Sequence, residues 1–306
     1  MILYSIIIPH YNSVQYLERL LDTIPQKETI QLIVVDDKSD ENLESVKEKV
    51  LLRGGRFLHN TTEKKGAGVC RNIGLQEAAG RWLVFADADD YFVEGAFDII
   101  DRYKDSIADI VYFIPTSRYN ETDMVADRHV DYERVARNYQ KNPSRYNEVA
   151  LRYKFVVPWS KMMKTEVAQK NQILFDEIPA ANDVMFCTKY AHYAKEIEVS
   201  DECIYCVTRM QGTLTTKFNE KNFWARVQVY KDRYVFLNQH LKPDEVNGFG
   251  VSKRCGMSVI IKALRQGYGL EMALRVYRYF RENDVKLVDM KSIMTSLRRK
   301  MIRKSK

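Results

Sequence analysis

The chain has 306 residues, 45% hydrophobic and 29% charged, an ordinary globular composition, long enough for one large α/β domain with an appendage or for two domains. No stretch approaches the roughly 18 apolar residues of a membrane span, and Met1–Asn12 lacks the basic leader and small-residue cleavage site of a signal peptide. The net charge of +7 is local: Lys291, Arg298, Arg299, Lys300, Arg303, Lys304 and Lys306 follow the last acid, Asp289, so residues 1–290 are neutral, which argues against nucleic acid as a partner of the body.

The first third alternates short apolar runs with helical periodicity. Ser5–Pro9 predicts a buried strand, and Tyr16, Leu17, Leu20, Leu21 and Ile24 recur at helical spacing until Pro25. Gln31–Asp37 predicts a second strand, Leu43–Leu52 a helix and Arg56–Asn60 a weaker strand. Gly66–Gly80 reads as a glycine-opened helix closed by Gly80 in a left-handed cap. Trp82–Asp90 and Asp109–Pro115 predict two more strands. Strands alternating with helices imply an α/β fold: a mostly parallel central sheet flanked by helices.

From Thr116 to Tyr153 the chain turns polar and tyrosine-rich, an insertion with two short helices separated by Pro143. Lys195–Arg209 predicts one or two strands. Helices are then expected over Phe223–Leu241, Gly256–Gly267, Glu271–Glu282 and Asp289–Lys304. The predicted organisation is residues 1–115, residues 116–215 containing the 116–153 insertion, and a helical C-terminal extension over 216–306.

The run from Phe85 to Phe92 carries the strongest chemical signal. It places Asp87, Asp89 and Asp90 after an apolar stretch. Read as a strand, it points Asp87 and Asp89 to the same side. Two such carboxylates repel unless a cation or donor lies between them. Hard divalent ions take oxygen ligands, and magnesium often uses one or two carboxylates plus substrate phosphate oxygens. Asp36 and Asp37 end another strand, at the sheet edge where α/β proteins bind ligands. Helix capping or turn formation is the plain alternative for each acidic cluster. Gly66 and Gly68 permit close backbone approach at a helix amino terminus, which favours phosphate. Arg71 follows one turn later, placed to reach a ligand or to salt-bridge the acidic edge.

Four segments, SIIIPHYN, VVDDKS, GAGVCRNIGL and FADADD, together resemble the inverting family-2 glycosyltransferases of the GT-A fold over residues 4–92. The likeness extends more loosely to about residue 216. It implies that Pro9, Tyr11 and Asn12 flank the nucleotide and that Asp37 accepts a hydrogen bond from the base, with Asp36 supporting the turn. It makes Asp87 and Asp89 the D-x-D element, Asp87 nearer the ribose and Asp89 nearer the metal and diphosphate, with Asp90 a further candidate. Asp183 falls at the place of the catalytic base, although Asn182 stands where many relatives carry glutamate. An amino-terminal helix cap is the structural alternative for Asp183.

The implied function is transfer of one sugar from a nucleotide-diphosphate donor, UDP being favoured, to a hydroxyl of a glycan or lipid-linked acceptor in surface-polysaccharide assembly. The implied cofactor is a divalent metal, manganese or magnesium. Trp159 and Lys161 are candidates for acceptor contact, against burial in the core. Arg209 is a candidate diphosphate clamp, against a plain surface arginine. Cys203 and Cys206 are too few for a zinc site, and five irregularly spaced cysteines suit a reducing compartment, so a cytoplasmic location is expected. Met290, Ile293, Met294, Leu297 and Met301 form an apolar stripe in the basic tail, suited either to the inner face of a membrane or to packing on the body. The rival functions are a sugar nucleotidyltransferase, a non-catalytic sugar-nucleotide or glycan-binding relative, and a nucleic-acid binder acting through the tail. The first predicts a glycine-rich basic loop after the opening strand, which PHYNSVQY lacks.

Overall fold

β1 (Tyr4–His10) is buried over its whole length, as a strand covered on both faces must be. α1 (Val14–Asp22) packs through Leu17, Leu20 and Leu21. β2 (Ile30–Asp36), α2 (Glu44–Leu52), β3 (Arg56–His59), α3 (Ala67–Glu77) and β4 (Trp82–Phe85) continue the alternation. β5 (Tyr91–Phe92), α4 (Ala96–Arg102) and β6 (Ile110–Tyr119) follow, then α5 (Val130–Lys141) and α6 (Arg145–Lys154). β7 (Lys161–Lys164), α7 (Thr165–Lys170), α8 (Val184–Tyr193) and β8 (Ile197–Arg209) complete the sheet region. This computed structural model describes residues 1–120, 122, 124–209, 219–249 and 256–287.

The eight strands form one sheet in the order β3-β2-β1-β4-β7-β6-β8-β5. β1 pairs in parallel with β2 and β4, β2 with β3, and β6 with β8. β7 is antiparallel to both β4 and β6, and β5 is antiparallel to β8. β6 and β8 therefore run the same way as β1, and the carboxyl ends of six strands meet on one edge. The α/β expectation holds, with β7 inserted backwards between two parallel groups.

Two local readings are corrected. β4 ends at Phe85, and Asp87–Asp90 is a turn in which the Asp90 amide donates to the Asp87 carbonyl at 3.0 Å. Strand alternation therefore does not govern these aspartates. Gly80 is not the left-handed cap of α3, which stops at Glu77 with Ala78 extended. A Cβ at Gly80 would lie 2.6 Å from the Ser5 nitrogen and 2.7 Å from the Tyr4 carbonyl carbon. The glycine is required because the chain crosses the backbone of interior strand β1. Gly80→Ala should cost about 1–3 kcal/mol of stability through that overlap, measurable as a lower urea midpoint.

Pro143 precedes α6, whose Ser144 cap accepts from the Asn147 amide at 3.4 Å. Two compact units divide the chain, Met1–Leu214 and Thr215–Lys306. The second contains α9 (Glu220–His240), α10 (Pro243–Phe249), α11 (Gly256–Arg265) and α12 (Gly269–Glu282). Its core includes Phe223, Val227, Ile260, Met272, Val276 and Phe280. The helix expected over Asp289–Lys304 lies outside the described residues. No helix of the described residues is long and apolar enough to cross a membrane.

Candidate active site

The carboxyl edge begins with two aspartates that enter different bonds. Asp36 Oδ1 accepts from Ser39 Oγ at 2.6 Å and faces His10 Nδ1 at 3.0 Å, and Oδ2 accepts from the Ser39 amide at 3.2 Å. Burial pushes the Asp36 pKa up, but the Ser39 hydroxyl and then His10 outweigh it and hold the carboxyl below its ordinary value. Asp37 is buried, its Oδ1 accepting from Asn60 Nδ2 at 2.6 Å and its Oδ2 from the Gly66 amide at 2.7 Å. A carboxylate has about four lone-pair sites, so with these two filled Asp37 retains capacity for a further donor.

The start of α3 is less open than its glycines suggest. The Gly66 amide is taken by Asp37, and a Cβ at Gly68 would lie 2.2 Å from the Asp176 carbonyl oxygen. Protein backbone occupies the space that Gly68 leaves free. Beyond β1, whose Pro9 is buried, Asn12 adopts φ 45°, accepts from the Asp40 amide at 2.8 Å and donates its own amide to Ser39 Oγ at 2.9 Å. Tyr11 is half exposed, with Lys65 Nζ 4.9 Å from its ring centre.

After β4, the turn Asp87–Asp90 is held from several sides. Asp90 is buried, accepting from Tyr205 Oη at 2.9 Å and from the Thr208 amide at 2.7 Å. The Asp89 carbonyl accepts from Thr208 Oγ1 at 2.6 Å and from Arg19 Nη2 at 2.5 Å. The Asp89 carboxylate projects from an exposed residue. Incomplete hydration beside the surrounding protein, then the Asp87 charge, push its pKa up, while Arg128 and Arg19 oppose.

Arg71 joins this turn to α8. Its guanidinium is buried, with Nη2 on Asp87 Oδ1 and Nη1 donating to Asn182 Oδ1 at 2.8 Å. Asp183 stands at the amino end of α8 with helical backbone angles, and its side chain makes no capping hydrogen bond. The Asn182 oxygen is engaged by Arg71. Burial raises the Asp183 pKa, the Arg71 charge partly offsets this and Asp87 adds to the rise. Burial likewise works against the Arg71 charge, but Asp87 and then Asp183 more than restore it. One buried cation thus lies in the field of two carboxylates from distant parts of the chain.

The remaining candidate positions have contacts of their own. Trp159 is buried and stacks on Tyr205, ring centres 5.8 Å apart and planes inclined 15°. Lys161 is buried, donating to the Phe155 and Val157 carbonyls at 2.5 and 2.7 Å, and burial pushes its pKa down to about 8. Core burial, the alternative to acceptor contact, is where the fold puts both. Arg209 pairs with Asp127 at 2.5 Å on the surface. Cys203 and Cys206 are free thiols, and among the described residues no group of three or more histidines, cysteines or acids could hold a metal. Sequence reasoning missed Asn60, Arg19, Tyr205 and Thr208, whose partners in these bonds lie between 23 and 119 residues away, and Arg128, which acts on Asp89 through its charge; no local pattern marks them.

Over residues 5–171 the chain matches glycosyl transferase family 2. It belongs to that family. A relative, the poly(ribitol-phosphate) beta-N-acetylglucosaminyltransferase TarS of Staphylococcus aureus, is 25% identical over 281 residues, covering 82% of this chain and 46% of TarS. The family-2 chain described here thus spans about half the length of that relative. The crystal structure of S. aureus TarS 1-349 in complex with UDP-GlcNAc has a TM-score of 0.63 at 22% identity, covering 82% of this chain and 71% of that one. The mannosyltransferase PcManGT of Pyrobaculum calidifontis, in complex with GDP-Man and Mn2+, has a TM-score of 0.55 at 14% identity, covering 98% and 79%. These likenesses agree with the GT-A fold.

Proposed function

We propose that this chain transfers a sugar from a UDP-sugar to a hydroxyl of a glycan or lipid-linked acceptor, with inversion, in surface-polysaccharide assembly. The carrying observation is the Arg71 bridge, which brings Asp87 and the Asn182–Asp183 segment to one place at the ligand-binding edge of the sheet. Asp37, fixed by Asn60 and Gly66, accepts a hydrogen bond from the base, with Tyr11, Asn12 and Pro9 flanking it and Asp36 holding the turn. Asp87 lies on the ribose side. Arg71 serves donor binding by aiming Asp87. Support for the acceptor class comes from TarS, whose name specifies poly(ribitol-phosphate).

The donor set suits a shared cation. Asp89 offers an exposed carboxylate whose pKa is raised first by incomplete hydration and then by the neighbouring Asp87 charge; a divalent ion relieves the second of these. One or two protein carboxylates are a common complement for a magnesium or manganese ion that also takes diphosphate oxygens. When bound, such an ion neutralises charge on the departing diphosphate. The protein's own part is to hold the donor through Asp37 and Asp87 and to take the acceptor proton on a carboxylate oxygen of Asp183. A single base opposite the leaving group gives direct displacement, hence inversion.

A thermal-shift panel of UDP-, GDP-, CMP- and dTDP-sugars, each with manganese and with a chelator, tests the reading. Stabilisation by UDP-sugars that needs the metal is the expected result. The absence of a shift with every donor would sink it.

A further inference from the structure

The Asp87–Asp90 turn crowds three carboxylates into four residues, so something must hold it against their repulsion. Arg19 and Thr208 grip its third residue through the Asp89 carbonyl. One side chain joins its two ends. Tyr205 Oη accepts the Asp87 amide proton at 2.8 Å and donates to Asp90 Oδ2 at 2.9 Å. The residue is fully buried, stacked on Trp159 and edge-on to Phe92 at 5.4 Å. Its backbone pairs with Pro115 of β6 and Phe92 of β5. The hydroxyl is therefore fixed by the sheet and not by the turn it holds.

We propose that Tyr205 is a positioning residue for donor binding: its hydroxyl staples the Asp87 amide to the Asp90 carboxylate and so aims the Asp89 carboxylate between them at the diphosphate end of the donor, while Arg71 separately holds the ribose-side Asp87 carboxylate. This rests on the donor-site reading given above. The staple acts on the D-x-D turn alone. Asp37, Asn60 and Gly66, which build the base end, bond to one another outside that turn. Loss of the hydroxyl frees the Asp87 amide inside the protein and lets the turn relax under its own charge. Outer partners of metal-ligating carboxylates typically carry 10–100-fold in metal affinity.

The test compares wild type, Tyr205→Phe and Phe92→Leu by calorimetric titration with UDP plus manganese and with uridine alone. Phe92 packs on the Tyr205 ring and touches neither Asp87 nor Asp90 by hydrogen bond of its side chain, so its variant controls for lost packing. The expected result is UDP–manganese affinity lowered at least about tenfold in Tyr205→Phe, with uridine affinity within about twofold of wild type and Phe92→Leu unchanged in both. Tyr205→Phe within twofold of wild type for UDP–manganese overturns the proposal. So does an equal loss in Phe92→Leu, because packing would then explain it. If Tyr205→Phe does not fold, Asp90→Asn probes the other end of the same staple. A selective loss of UDP–manganese affinity there supports the proposal, and its absence refutes it. Failure of wild type to bind UDP with manganese would instead remove the donor-site reading on which the staple depends.

Discussion

Asp183→Asn is expected to lower kcat roughly a hundred- to ten-thousand-fold, the range carried by a positioned general base, with UDP–manganese affinity within about twofold of wild type. The substitution keeps the shape and removes the charge that takes the acceptor proton. It should also leave the fold intact, because the Asp183 side chain makes no cap bond to α8. The pH dependence has a defined sign. Burial raises the Asp183 pKa, Arg71 lowers it and Asp87 raises it, with a net rise. The base works only when ionised, so kcat falls as pH drops through a value above the ordinary 3.9 or so of aspartate. The acidic group facing it is Asp87; the basic ones are Arg71 and Lys161, and Tyr132 of α5 lies in the same field.

Linkage gives the stability side of the same group. An acid whose folded pKa lies above its unfolded one contributes most when protonated. That contribution is lost as pH rises from the unfolded toward the folded value. At neutral pH the Asp183 charge therefore weakens the fold, and Asp183→Asn should melt at the same temperature as wild type or higher. Large loss of turnover without loss of stability separates a base from a structural cap. A folded Asp183→Asn enzyme with wild-type turnover would leave a different group as the base.

Asp89→Ala has the second large effect, on donor binding. The fold uses Asp89 through its backbone carbonyl, which Arg19 and Thr208 hold. The carboxylate is exposed and is available to a ligand. Truncation should therefore spare the melting temperature of the free protein and abolish the manganese-dependent part of UDP binding. The expected loss is about 100-fold, or nearly 3 kcal/mol, and the remaining affinity should no longer respond to a chelator. Titration of UDP with and without manganese checks this, and an Asp89→Ala protein that still answers to manganese would assign the ion to other ligands.

How much of this was legible beforehand depended on distance along the chain. The strands around Ile6–Ile8 and Leu32–Val35 were readable because a strand buried on both faces must be apolar throughout. The helices flanking Pro143 were readable from that proline and their own periodicity. Gly80 was misread because a glycine after a helix has two physical uses, a left-handed cap and a close crossing. Only the position of Ser5 distinguishes them. Trp159 and Lys161 have the residue types of an acceptor site, yet both are buried in the core. A buried lysine satisfied by carbonyls leaves no mark in its neighbours along the sequence.

The amino-acid sequence alone determined the α/β class, the family, the three acids after β4, the acidic pair after β2 and the aspartate before α8. Each of these follows from short-range patterns: apolar runs, turn residues and motifs confined to a few positions. Tertiary structure decided the antiparallel insertion of β7, the turn rather than strand at Asp87–Asp90, the Arg71 bridge and the Tyr205 staple. The reason is that these depend on pairs far apart in sequence, such as Arg71 with Asn182 and Tyr205 with Asp87, separated by 111 and 118 residues. Such pairs meet only after the sheet has set its strand order, because hydrogen bonds act at about 3 Å and ignore the length of chain between their ends.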